Sequence, residues 1–215
     1  MCTACSAIAQ RVSLAALLET LSVEYSPRVV SPPFYDRVGI RMLTPKMNNY
    51  DWTDQFLKLY EVALKKYEDG NRQVETYFSH QEKDFLARIG CRPMEIYDFV
   101  EDAPDLSYET ALLITAARRD YFLTKQQGEW SNNMLKIEDF PEKKDSIEGI
   151  EWLPRIILKA KARLRGELPV DLMYCCGGDR SFLNRHNIHP ADFLRLVWSA
   201  MNDDAKIVEF VEYAT

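Results

Sequence analysis

The densest run of chemistry-bearing residues in the chain is Tyr174-Cys-Cys-Gly-Gly-Asp-Arg180, where two adjacent thiols, two glycines, an acid and a base share one short loop. Thiolates are nucleophiles and soft metal ligands, and glycines let backbone N–H groups approach an anion closely. Cys175, Cys176, Gly177, Gly178, Asp179 and Arg180 are therefore the candidate ligand-binding residues. A plainer expectation attaches to the same run: the glycines make a turn and Asp179 caps the following helix. No Gly-Lys-Ser/Thr follows the glycine pair, so the signature of a phosphate-binding P-loop is missing.

Other constellations are weaker. Cys2-Thr-Ala-Cys5 has the spacing of a redox or zinc half-site, but no strand-then-helix pattern surrounds it. A zinc site needs a second well-spaced pair, and Cys175 and Cys176 are adjacent, so neither a metal nor a cofactor is expected. His186 and His189 flank the turn before Pro190, and His80 stands at the equivalent place earlier in the chain. None has an acid or nucleophile partner by spacing, and His189 reads as a helix-start residue. Arg155, Lys159, Lys161, Arg163 and Arg165 form one dense basic stretch, and 100° steps spread them over a broad, solvated polar arc. No catalytic residue is assigned.

These residues need a scaffold, and composition supplies one. The chain has 215 residues, 47% hydrophobic and 28% charged, a globular balance long enough for one large core or two small ones. Its net charge of −6 works against phosphate backbones and anionic lipid. No apolar run approaches the roughly 20 residues that span a bilayer, and the first residues lack the order of a signal peptide. Five cysteines, an odd number, do not make a secreted disulfide framework, so a reduced, cytoplasmic protein is expected.

Helical periodicity dominates. Residues 1–50 form an N-terminal extension with one amphipathic helix, Ser13 to about Tyr25, whose Leu14, Leu17, Leu18 and Leu21 face needs a partner: the rest of the chain, a second copy or another protein. From Trp52, Phe56, Leu57, Tyr60, Leu64 and Tyr67 predict a helix that Asp69 and Gly70 stop. Ser79 and Glu82 form a capping box before Phe85, Leu86 and Ile89. Pro93 opens a helix with Ile96, Tyr97, Phe99 and Val100, and Ser107 another with Leu112, Leu113 and Ile114. Residues 125–150, with Gly128, Asn132, Asn133 and Pro141, read as a connector.

Beyond the connector the order repeats. At an offset of 97 residues, Tyr77, Phe85, Leu86, Arg88, Pro93, Val100 and Ala103 align with Tyr174, Phe182, Leu183, Arg185, Pro190, Val197 and Ala200. An offset of 100 pairs Trp52 with Trp152 and Leu64 with Leu164. The expected organisation is an all-α protein with two diverged copies of one helical unit, at 51–124 and 151–215, packed through a pseudo-twofold interface.

The second copy also resembles a known family. Trp152-Leu-Pro-Arg, Gly166-Glu-Leu-Pro, Gly178-Asp179, Phe182-Leu183, Asp192-Phe-Leu and the closing Ile207 and Val211 are similar to the bacterial domain-of-unknown-function family 5069. The resemblance covers about residues 147 to 213 and implies no activity and no catalytic residue. The preferred functional reading is a cytoplasmic binding or interaction module. The rival is a small-molecule enzyme with its pocket at the Cys175–Arg180 loop, and a third, weaker reading is nucleic-acid binding through the basic helix at 155–165.

Overall fold

The computed structural model describes residues 49–214, so the predicted Ser13–Tyr25 helix with its leucine face, and Cys2 and Cys5, lie outside the described residues. Within them the chain is all-α. A 3-10 turn, Asn49–Asp51, leads into α1 (Trp52–Glu68), and α2 (His80–Arg88), α3 (Pro93–Glu101) and α4 (Tyr108–Thr124) follow. After the connector come α5 (Leu153–Arg165), α6 (Gly177–Arg185), α7 (Pro190–Ala200) and α8 (Asp204–Ala214).

Local signals explain most of these bounds. Ser79 Oγ accepts from Glu82 N at 3.4 Å while Glu82 Oε2 accepts from Ser79 N at 2.7 Å, so two orphan donors at the start of α2 are satisfied reciprocally. Pro93 and Pro190 occupy the first positions of α3 and α7, where a missing N–H costs nothing. His189 is the N-cap of α7, its Nδ1 accepting from Ala191 N at 3.2 Å. Ser107 caps α4 through Thr110 N at 3.2 Å. The connector holds one feature the periodicity gave no sign of: a two-residue hairpin pairing β1 (Ser146–Ile147) with β2 (Ile150–Glu151), antiparallel. Its turn residues Glu148 and Gly149 both have positive φ, the conformation that matches the twist of the flanking strands.

α2 and α6 keep the 97-residue spacing, beginning at 80 and 177 and ending at 88 and 185, and so do the starts of α3 and α7 at 93 and 190, whereas α1 and α5 begin at 52 and 153 and α4 and α8 at 108 and 204. In each half the first long helix packs on the third, α1 on α3 and α5 on α7. The core does not divide between the halves, because α4 lies against both α5 and α7. Ala111, Ile114, Ala117 and Phe122 are buried there.

Two predicted faces differ from the observed ones. On α1 the buried residues are Phe56, Leu59, Tyr60 and Ala63, with Leu57, Leu64 and Tyr67 only partly covered. On α4 Leu113 is exposed and Arg118 is fully buried. A helix covered by several neighbours has no single apolar stripe, and the side chains between its leucines face a partner too.

Candidate functional site

The loop that the sequence singles out is closed on itself. Tyr174 is buried and its hydroxyl donates to Pro190 O at 2.8 Å, fixing the loop to the start of α7. Cys175 is buried with φ of 73°, which turns the chain sharply into α6. Cys176 is the N-cap residue and Gly177 the first of the helix. Asp179 thus sits at the third helical position. Instead of capping, its Oδ2 accepts from Cys175 N at 2.9 Å, as Glu82 reaches back in α2.

Asp179 is completely buried and serves three donors. Besides Cys175 N, Trp152 Nε1 donates to its Oδ1 at 3.0 Å and the Lys159 ammonium forms a short contact with its Oδ2. Lys159 Nζ also lies 3.4 Å from Cys176 Sγ. Gly178 admits the Trp152 ring, which a Cβ at that position would meet at 2.6 Å. Arg180 donates to Asp102 Oδ2 at 2.6 Å and to Cys175 O at 2.8 Å, tying the loop to the end of α3. Burial pushes the Cys175 thiol up to about 12, with the Arg180 charge only partly opposing it, so this sulfur is held as an unreactive thiol. All six predicted residues do come together, but around an internal hydrogen-bond network. Of the cysteines among the described residues, Cys91 and Cys175 are buried and Cys176 is partly exposed.

The basic helix departs from its expected role. Lys159 and Arg163 are 1% and 3% exposed, and the solvated arc predicted for them does not form. Their counter-charges come from other helices: Asp179 of α6 for Lys159 and Glu95 of α3 for Arg163. Lys161 pairs with Asp204 at 2.6 Å, and Arg155 donates to Pro141 O at 2.6 Å. Arg165 stands 3.6 Å from Glu167.

A second polar cluster, not anticipated from the sequence, surrounds the C-terminal end of α5. The last carbonyls of a helix lack intrahelical partners and carry the negative end of its dipole. Here Arg118 Nη1 donates to Leu164 O at 2.7 Å, Gln126 Nε2 to Arg165 O at 3.1 Å, and Arg92 Nη2 to Gly166 O at 2.5 Å. Gly166 closes the helix with φ of 71°, and a Cβ there would approach Arg118 Nη2 to 2.7 Å. The Trp130 ring is near two of these cations, its centroid 5.2 Å from Arg92 Cζ and 5.3 Å from Arg118 Cζ.

Beside this cluster, α3 and the segment 168–174 enclose a cleft of about 40 Å³ with Arg92, Glu95, Asp98 and Arg163 among its polar lining. Glu95 takes Arg163 Nη1, while the Nε and Nη2 of Arg163 are buried with no hydrogen-bond partner. Burial, reinforced by the nearby Glu95 carboxylate and only partly offset by Arg163, pushes the Asp98 carboxyl up to about 7. Two unpaired N–H groups and a carboxyl able to hold its proton at neutral pH are what a hydrogen-bonding guest requires. Among the described residues no group of three or more potential metal ligands occurs.

No family model, no curated protein and no solved structure matches the chain. No helix among the described residues is long and apolar enough to cross a membrane.

Proposed function

We propose that the protein is a cytoplasmic binding module whose recognition site is the cleft between α3 and the 168–174 segment. The observation that supports this reading best is the Nε–Nη2 edge of Arg163, 97% buried as a residue and without an internal acceptor. An unmet buried donor costs about 1–3 kcal/mol, a penalty that a guest bringing acceptors relieves. The walls are otherwise apolar, with Met94, Phe99, Leu168 and Met173, which suits a ligand oriented by a few polar groups.

The rival reading, an enzyme built on the Cys175–Arg180 loop, is favoured by one observation. The partly exposed Cys176 sulfur lies 3.4 Å from a buried ammonium. Against it, Asp179 and Arg180 already bond internal partners, and the Cys175 thiol is buried. We further propose that the two halves descend from one duplicated unit. The common 97-residue spacing of α2 with α6 supports this, and so does the shared placing of Pro93 and Pro190 at helix starts.

A fragment screen read by amide chemical shifts on the full chain tests the binding reading. Hits that shift residues 94–99 and 168–174 and saturate without turnover are expected. Hits confined to residues 174–180, or turnover lost on Cys176→Ser, would favour the rival.

A further inference from the structure

The proposed cleft has a chemistry specific enough to name its guest. A guanidinium carries two donor pairs with different geometry, and the Nε–H and Nη2–H bonds run parallel along one edge, spaced to meet both oxygens of a carboxylate. In Arg163 the Glu95 carboxylate engages Nη1, so the parallel edge is the part left without a partner. We infer that the cleft binds a small monocarboxylate, of the size of acetate or propionate, seated on the Nε–Nη2 edge of Arg163 with Asp98 beside it. This rests on the reading of the cleft as the recognition site.

Size and charge narrow the guest. A space of about 40 Å³ has room for roughly three waters, which is the bulk of a carboxylate with a short alkyl group. Phosphate brings a second negative charge into a lining that already holds Glu95 and Asp98, and its tetrahedral oxygens match the planar edge less well. Leu168 and Met173 suit an alkyl substituent, and Val170, 60% exposed, stands at the rim. The two nitrogens are buried, so seating the guest requires neighbouring side chains to shift, and Met94 and Met173 are among the lining residues. Methionine, with three rotatable bonds, does this at low cost.

Protonation sets the pH dependence. The charged groups acting on Asp98 are Glu95, Glu101 and Asp102 on or at the end of its own helix and Arg163 on α5. Arg92 and Tyr174 complete the ionisable lining of the cleft. Below about pH 7 Asp98 holds a proton and can donate to the guest; above it, two like charges face each other. When only the protonated form binds, the apparent Kd divides by its population, so affinity at pH 8 is about tenfold weaker than at pH 6.

The test is a titration of the full chain with sodium acetate and sodium propionate, followed by amide shifts, with sodium chloride and sodium phosphate as matched controls. Expected are saturable one-site shifts in residues 94–99 and 166–174 and the tenfold loss between pH 6 and pH 8. Arg163→Lys, which keeps a charge for Glu95 but not the edge, should weaken binding at least about tenfold. Asp98→Asn, a near-isosteric change, should bind at both pH values and flatten the pH profile, a readout that stands even if Arg163→Lys fails to fold. The inference is overturned if chloride gives the same shifts, if phosphate binds as well as acetate, if Asp98→Asn retains the wild-type pH profile, or if carboxylates produce no saturable change. In that last case, other fragments still mapping to residues 94–99 and 168–174 would leave the binding-module reading intact, whereas no fragment mapping there would remove both.

Discussion

Replacing Asp179 with asparagine keeps the shape but only one acceptor oxygen for the two donors Trp152 Nε1 and Cys175 N, and it leaves the Lys159 ammonium, 1% exposed, without its counter-charge. Breaking a buried pair by removing one partner costs about 3–5 kcal/mol, because the desolvation of the remaining charge is no longer offset. In a folded body of this size that lowers Tm by roughly 6–20 °C. Lys159→Met should cost a similar amount. The double variant, which buries no unpaired charge, should fall short of the sum of the two by about 2 kcal/mol or more. Urea unfolding at pH 7, followed by tryptophan fluorescence and by circular dichroism, measures all four corners of the cycle. Additivity within about 0.5 kcal/mol, or a cost below about 1 kcal/mol for Asp179→Asn, would refute the claim that this pair is an energetic centre of the loop.

Three further outcomes follow from the geometry. Gly166→Ala and Gly178→Ala should each destabilise by more than about 1 kcal/mol in thermal melts, the first from its φ of 71° and Arg118 Nη2 at 2.7 Å, the second from Trp152 at 2.6 Å. Gly128→Ala, at φ of 81° with nothing near its Cβ, should cost only about 1 kcal/mol. Thiol labelling mapped by mass spectrometry should modify Cys176 in the native protein but Cys91 and Cys175 only on unfolding, since both are buried. The Asp98 carboxyl, raised to about 7 in the fold from an ordinary value near 4, binds more protons folded than unfolded between those values. Its contribution to stability is therefore full at low pH and is lost as pH rises to 7. Wild type should lose about 2 kcal/mol relative to Asp98→Asn between pH 5 and pH 7 in urea melts, and a parallel pair of curves would contradict the assignment.

Much of the helical frame was legible because its signals are local. The capping box at Ser79 and Glu82, the prolines at 93 and 190, and the burial of Ile96, Tyr97, Phe99 and Val100 all depend on residues within one or two turns. The loop at 174–180 stands out in the sequence by its composition, yet the partners of Asp179 at Trp152 and Lys159 are 27 and 20 residues away. The cleft was missed for the same reason: Arg163 and Asp98 are ordinary residues until the fold brings α5 against α3. One sign was readable. Lys159 and Arg163 fall three and seven residues after Ile156, in phase with the buried side of α5, and a cation in that phase must meet an acid from elsewhere.

The end of α5 has a consequence for any attempt to divide this protein. The carbonyls of Leu164, Arg165 and the C-cap Gly166 are answered by Arg118, Gln126 and Arg92, none of them later in the chain than residue 126, and Arg163 is neutralised by Glu95 from that same side. A cut anywhere in residues 127–150 would separate a helix end from its donors and a buried guanidinium from its acid at one stroke. Neither fragment would inherit a finished surface. The segment at 147–213 is in this sense half of a joint, and a mutation in the first half at Arg92 or Arg118 acts on the second half's longest helix without touching its sequence.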